Sequence, residues 1–326
     1  MKFKEFGWNG FLLEIPEGMR LTSEGGNISS GYIRLEMEGL VAEVKWDPLD
    51  KKAMPLAKVA DLFIKNVREN LEKKLKKKVD LKVESGENIF VSSHGAYSMI
   101  LKTGAEFWEP VYIWNCEKSK RIIIVHFISL LPKDTGQEVV RHMLESLRCH
   151  QDGDFVTWSA LNLRFNIPSS LLLSDRKIVV GRTYLTFEER KPSMLAEMGR
   201  SLTIEFFSMA NIIYEDTYKK IDEWFQSKYW KDLKKRYKHI SFQTSEMERV
   251  MRHNVLHKRG VRKLGLVNRR TMLCENLTWY CSKSNRIYSV TYTSYVSRPF
   301  FLKRMLNEEE DKRILQSLIS SFRCHI

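Results

Sequence analysis

The nine residues Trp114–Ile122, WNCEKSKRI, recur as Trp279–Ile287, WYCSKSNRI, with six of nine positions identical and an offset of 165 residues. Two further matches share the chain order of this one: LEIP with FNIP (13–16 and 165–168, offset 152), and SLRCH with SFRCH (146–150 and 321–325, offset 175). The offsets rise along the chain, as they do when a second copy gains residues in its loops. We therefore predict a tandem duplication with domains 1–150 and 151–326.

Each copy has the same order of predicted elements. An opening strand ends in a proline, Pro16 or Pro168, and two more strands follow. Apolar residues then recur every fourth position, which predicts a long helix with one buried face. They are Val59, Phe63, Val67, Leu71 and Leu75 in the first copy, and Ile221, Phe225, Tyr229, Leu233 and Tyr237 in the second. Further strands lead to a closing helix, predicted over 135–148 and 308–323. The predicted fold class is α+β: two tandem βββαβββα domains, each an antiparallel sheet with helices packed on it.

These features resemble the PsbP-like family (the Mog/PsbP superfamily). The residues that carry the resemblance are Phe11, Ile15, Pro16, Gly18, Trp114, Cys116 and Arg121 in the first copy, and Leu163, Ile167, Pro168, Trp279, Cys281 and Arg286 in the second. The second copy departs from the pattern at Ser170, which stands where the first has Gly18. The resemblance implies a non-catalytic binding fold over nearly the whole chain. It implies no functional residue, because functions differ among proteins that share a fold.

The motifs of common catalytic sites are absent from the sequence. There is no Walker loop, no G-x-G-x-x-G, no G-x-S-x-G, no H-E-x-x-H and no C-x-x-C. His94 and His126 have no partner that the sequence can place, and at the offset of 165 His94 falls opposite Arg259, so both are predicted to be surface or hydrogen-bonded histidines. We expect no enzyme and no cofactor. An enzyme with a site at the domain interface is the alternative.

Four of the five cysteines occupy positions that the two copies share. Cys116 and Cys281 lie on a predicted strand, while Cys149 and Cys324 follow the closing helix, each beside a histidine. Buried thiols are the favoured interpretation, because free cysteine is among the most buried residue types. An intradomain disulfide is the first alternative. A metal site is the second, and we do not predict one, because three ligands per copy leave a structural tetrahedron incomplete.

The positive charge is concentrated in the second copy. The chain carries 54 Lys and Arg against 40 Asp and Glu. Residues 1–150 account for a net charge of +2 and residues 151–326 for +12, of which +11 lies within 228–270. A basic surface of this kind favours an acidic protein or a nucleic acid as its partner. The residues predicted to bind it are Lys234, Lys235, Arg252, Lys258, Arg259, Arg262, Lys263, Arg269 and Arg270.

The sequence therefore predicts a non-enzymatic binding or adaptor protein that holds an acidic partner on a basic face of the second domain. The alternative is a nucleic-acid-binding protein of low sequence specificity, without a recognition helix or zinc finger to read bases. The first residues lack the apolar core of a signal peptide, and no stretch approaches 18 uncharged apolar residues. We expect a cytoplasmic protein.

Overall fold

The chain divides into two compact units. The structure, a computed structural model, describes residues 1–50, 54–103, 107–192, 196–212, 220–237, 240–265, 268–299, 301–302 and 306–325. Unit 1 comprises Met1–Asp152 and Thr157–Leu161, and unit 2 comprises Gly153–Val156 and Asn162–Ile326.

Unit 1 opens with the hairpin β1 (Phe3–Trp8) and β2 (Phe11–Pro16). Its main sheet is antiparallel and has the strands β3 (Arg20–Gly26), β4 (Gly31–Met37), β5 (Leu40–Pro48), β6 (Lys82–Val91), β7 (His94–Lys102), β8 (Glu109–Cys116) and β9 (Arg121–Ser129). Their spatial order is β3-β4-β5-β9-β8-β7-β6. A further strand, β10 (Phe155–Ala160), has its residues from Thr157 onward in unit 1 and pairs with β1 at Gly7 and Ser159.

Two helices flank the sheet of unit 1. Helix α1 (Leu56–Leu75) packs Val59 and Phe63 against the Val111 and Ile113 face of β8. Helix α2 (Lys133–Ser146) follows β9 and contacts β2, where the Glu14 amide donates to Ser146 Oγ at 3.0 Å. Since alternate residues of a strand face opposite sides, Trp114 and Cys116 lie on the face away from α1.

Unit 2 contains β11 (Leu163–Pro168), β12 (Leu172–Val179), β13 (Arg182–Pro192), β14 (Glu197–Ser208), β15 (Thr244–Val250), β16 (His253–Leu264), β17 (Asn268–Cys281) and β18 (Arg286–Pro299). Its main sheet has the order β12-β13-β14-β18-β17-β16-β15, which repeats the order of unit 1 strand for strand. The Asn166 amide donates to Ser321 Oγ at 2.8 Å, as Glu14 does to Ser146 in unit 1. The duplication itself stays a prediction from the sequence.

The helices of unit 2 lie in two places. A continuous helical segment consists of α3 (Ile221–Trp224), a π-helical stretch (Phe225–Tyr229) and α4 (Trp230–Arg236), and it buries its aromatic face against Met272, Cys274 and Ile287. Helix α5 (Glu308–Ser321) begins at Asn307, whose side-chain oxygen accepts a hydrogen bond from the Glu310 amide. In the part of the chain that the structure describes, no helix is long and apolar enough to cross a membrane.

The predicted fold class is wrong. The chain is mostly β, with three antiparallel sheets, and it lacks the helix-packed βββαβββα order expected of each domain. The strands at the edges of the seven-stranded sheets explain the difference: β3, β6, β12 and β15. Their sequences are polar and largely exposed, as in the exposed run Thr244–Met247, so they lack the apolar alternation that marks a half-buried strand.

At Gly260 the segment that precedes β15 passes close to the backbone of β16. A Cβ at this position would overlap Ser241 O and press on Gln243 Oε1. We therefore expect Gly260→Ala to destabilise unit 2 by about 1–3 kcal/mol, because backbone atoms must shift. Urea unfolding measures the loss. Gly18→Ala is the control, since a Cβ there meets nothing within 4 Å, and equal effects of the two substitutions would contradict the prediction.

Candidate functional sites

Four side chains of unit 1 converge at one end of its sheet: His94, Cys116, Cys149 and His150. His94 opens β7, Cys116 closes β8, and Cys149 and His150 follow α2. His150 Nδ1 lies 3.3 Å from Cys116 Sγ and 3.5 Å from Cys149 Sγ, and His94 Nε2 lies 3.6 Å from Cys149 Sγ. All four ligand atoms lie within 4.8 Å of one another. We call this set cluster 1.

Unit 2 contains the equivalent set, cluster 2: His253, Cys281, Cys324 and His325. Cys324 Sγ lies 3.1 Å from His253 Nε2, 3.2 Å from His325 Nδ1 and 3.5 Å from Cys281 Sγ. Cys281 Sγ lies 3.7 Å from His325 Nδ1. The same ring nitrogens face the sulfurs in both clusters, Nε2 from the strand histidine and Nδ1 from the histidine after the closing helix.

The sequence comparison missed one member of each cluster because it paired His94 with Arg259. The pairing of neighbouring strands gives a different correspondence between residues of the two copies. Ile113 pairs with Tyr97, and its counterpart Thr278 pairs with Leu256, so β7 and β16 are related by an offset of 159. At that offset His94 falls on His253. The preceding helices already indicated a smaller offset than 165, because Leu75 and Leu233 match at 158 residues, one short of the register that pairs the two histidines.

All five cysteines are buried and free. The fifth, Cys274, has no counterpart in the first copy and packs beneath α3 and α4. His126, the other histidine considered for acid–base chemistry, is buried with Nε2 3.4 Å from Glu109 Oε2 and Nδ1 4.0 Å from Glu43 Oε2. His94 is a member of cluster 1 and also lies tilted against Trp114, with ring centroids 6.3 Å apart and an interplanar angle of 46°.

The nine predicted basic residues do not share one surface. Lys258 is buried, pairs with Asp222 at 2.9 Å and donates to Ser245 Oγ at 2.7 Å. Arg259 lies on the opposite face of β16, within 3.5 Å of Glu275. Lys263 is on the Arg259 face and Arg262 on the Lys258 face, because strand residues alternate. The others are placed as follows: Lys234 and Lys235 exposed on α4, Arg252 exposed in the β15–β16 turn, and Arg269 and Arg270 at the start of β17.

Several arginines meet at a cavity of about 530 Å³ in unit 2. The cavity lies on the α4 face of the sheet, and three of its arginines come from different elements: Arg190 from β13, Arg236 from α4 and Arg270 from β17. Hydroxyl groups of the central strands also line it, including those of Ser201 and Thr293. Three acidic residues also line it, Asp175, Glu188 and Glu189, and the carboxylate of Glu189 is paired with Arg200. The lining therefore carries charge of both signs.

These three arginines differ in how many of their donors already bind a carboxylate. Arg236 donates to the buried carboxylate of Glu205 at 3.0 Å and lies over the Tyr184 ring. Arg190 pairs with Glu188 at 3.1 Å. Arg270 stacks on Tyr295 with 4.1 Å from Cζ to the ring centroid, and its Nε is buried without a hydrogen-bond partner among the described residues. Arg270 thus offers an unused donor beside the cavity.

Two lining residues, Tyr295 and Arg236, have raised pKa values. Burial, followed by the hydrogen bond to Glu197, raises the pKa of Tyr295 to about 12, so the phenol stays protonated at neutral pH. Burial opposes the charge of Arg236, but Glu205 outweighs it and raises the pKa of that guanidinium. The arginine side of the cavity therefore keeps its positive charge.

Comparison with known proteins gives little further information. No protein-family model matches the chain, and no curated protein matches it. Among solved structures, the solution structure of cyanobacterial PsbP (CyanoP) from Synechocystis sp. PCC 6803 is similar, with 10% sequence identity and a TM-score of 0.35 over 45% of this chain and 91% of that chain. It belongs to the family that the sequence resembles. Because a TM-score of 0.35 reflects low overall similarity, the PsbP-like resemblance stays a prediction.

Proposed function

We propose that the chain is a non-enzymatic binding protein whose second unit holds an acidic protein segment at the arginine-lined cavity. The observation that carries this proposal is the buried, unpartnered Nε of Arg270 beside Tyr295. A buried donor without an acceptor costs about 1–3 kcal/mol. A carboxylate that reaches Arg270 removes this cost and forms a charge-assisted hydrogen bond.

The distribution of charge supports an acidic segment over a nucleic acid. Residues 151–326 carry a net charge of +12, which attracts either class of polyanion. The cavity wall, however, includes Asp175, Glu188 and Glu189. A phosphate backbone that crossed this wall would meet the carboxylates of Asp175 and Glu188, whereas a single acidic side chain can reach Arg270 between them. Two of the predicted binding residues, Lys258 and Arg259, are already paired with acids of the same unit.

The test is the binding of a fluorescently labelled, glutamate-rich peptide to the full chain, measured by anisotropy over a series of salt concentrations. We expect Arg270→Gln to weaken binding about tenfold or more, from the loss of a hydrogen bond between charged groups worth about 1.5–3 kcal/mol. Arg249→Gln is the matched control, because it removes the same charge from the exposed edge strand β15.

Two outcomes would overturn the proposal. Equal weakening by both substitutions would show that only net charge matters. Tighter binding of a DNA or RNA oligonucleotide of the same charge, with a steeper salt dependence than the peptide, would favour the nucleic-acid alternative.

A further inference from the structure

We propose that clusters 1 and 2 are two structural zinc sites, one in each unit, each with two cysteine and two histidine ligands. The donor set is the first argument. Two sulfurs and two imidazole nitrogens in a tetrahedron are typical of structural zinc, which binds four protein ligands and leaves no open position. The ligands come from the residues already described for the two clusters.

The distances between ligand atoms match those of a zinc tetrahedron. Zinc lies about 2.3 Å from sulfur and about 2.0–2.1 Å from nitrogen, so neighbouring sulfur and nitrogen ligands are roughly 3.5–3.6 Å apart and two sulfurs roughly 3.8 Å apart. Three of the four sulfur–nitrogen distances are 3.3, 3.5 and 3.6 Å in cluster 1, and 3.1, 3.2 and 3.7 Å in cluster 2. The fourth is within 4.8 Å in each cluster. The two sulfurs of cluster 2 are 3.5 Å apart.

Hydrogen bonding alone does not account for this geometry. His150 Nδ1 is almost equally close to both sulfurs of cluster 1, and His325 Nδ1 is within 3.7 Å of both in cluster 2. A ring nitrogen carries one proton or one lone pair, so it cannot bond two thiols equally well. The cysteines of both clusters are free, and the two sulfurs of cluster 2 are 3.5 Å apart, whereas a disulfide needs about 2.05 Å. A central cation places each nitrogen beside both sulfurs.

The surroundings of the sulfurs supply an independent argument. Trp114 and Trp279 precede the strand cysteine by two residues in each unit, so the indole shares a face with the sulfur. The indole Nε1 atoms of Trp114 and Trp279 are both buried. Neither Nε1 has a conventional hydrogen-bond partner among the described residues. Metal-bound thiolates accept such donors, and groups around the ligands commonly hold a site in shape.

The positions of the ligands indicate what the zinc does. In unit 1 the ion would join the start of β7 and the end of β8 to the segment after α2. Four protein ligands fill the coordination sphere, so no site is left for a substrate water. The zinc therefore cross-links the fold, and this role is independent of acidic-partner binding at the cavity.

The test is the zinc content of the full chain, measured by mass spectrometry after purification and extensive dialysis. We expect two zinc ions per chain. His94→Ala and His253→Ala should each reduce the content to one, and the double variant to none. His142→Ala is the control, because this histidine pairs with Glu14 outside both clusters, and it should retain two.

A second measurement does not depend on the folding of the variants. Titration of the metal-free wild-type chain with Co²⁺ should produce the visible bands of tetrahedral cobalt and a thiolate charge-transfer band, with saturation at two equivalents. Zinc should then displace the cobalt and remove both features. Absence of these bands in folded protein, an octahedral spectrum, or a zinc content unchanged by the two histidine substitutions would overturn the proposal.

Discussion

Removal of zinc is expected to lower the midpoint of thermal unfolding by more than about 10 °C. Structural zinc binds small domains with an apparent free energy of about 10–16 kcal/mol at pH 7. Each unit also has a hydrophobic core of its own. We therefore expect only part of the zinc-binding free energy to be lost from the free energy of unfolding. A loss of roughly 5 kcal/mol is sufficient, since a domain of this size loses about 2–4 °C per kcal/mol.

Calorimetry of the zinc-loaded chain and of a chelator-treated chain measures this effect. His325 is exposed while His150 is partly buried, so unit 2 should lose its ion first as the chelator concentration rises. Cys324→Ser should reproduce the loss in unit 2 and leave the transition of unit 1 in place. Identical unfolding curves with and without zinc would contradict a structural role for the metal.

The helices were the elements that the sequence predicted best. The ridge from Ile221 to Tyr237 corresponds to the continuous helical segment of unit 2, and the closing helices were placed within two residues of their observed starts. These helices have one apolar face against a sheet, and that produces a strong period in the sequence. The edge strands show no such period, because few of their side chains are buried. In β15, for example, Thr244–Met247 are all exposed. This is why the fold class was wrong although most helices were found.

The ligand clusters show a different limit of prediction from the sequence. Both cysteines and one histidine of each cluster stood out because they recur in the two copies. The fourth ligand, His94 or His253, required the register of β7 and β16, which differs by six residues from the offset that the Trp-x-Cys stretch indicates. The strands absorb this difference: β16 and β17 have 12 and 14 residues, whereas β7 and β8 have 9 and 8. A sequence alignment anchored on one motif cannot locate such a shift, whereas strand pairing fixes it.

Arg200→Met is expected to destabilise unit 2 by about 3–5 kcal/mol, the cost of leaving a buried charge without its partner. Arg200 is 7% exposed and donates to Asp311 at 2.9 Å, to Glu189 at 2.7 Å and to Glu310 at 2.7 Å. Asp311 is fully buried, and its other donor is the Tyr292 hydroxyl. With methionine at position 200, the Asp311 carboxylate must be protonated or remain uncompensated. Urea unfolding at pH 7 measures the loss.

The pH dependence separates this effect from a loss of packing. Burial on its own would raise the pKa of Glu189, but hydrogen bonds from Lys191 and Arg200 lower it below its usual value. A carboxyl whose pKa is lowered in the folded state adds stability above its unfolded pKa of about 4.3, and this is lost as pH falls through the folded value. The difference between wild type and Arg200→Met should therefore shrink below about pH 4.

Arg190→Met is the matched control for Arg200→Met, because it removes an arginine from the same sheet whose ion pair, with Glu188, is exposed. Exposed pairs contribute about 0–1 kcal/mol, so this substitution should cost little at any pH. Arg200→Lys keeps the charge but not the planar fork that contacts three carboxylates, and its cost should fall between the two. A loss for Arg200→Met that equals that of Arg190→Met, or that stays constant from pH 7 to pH 3, would show that the buried charge cluster does not stabilise unit 2.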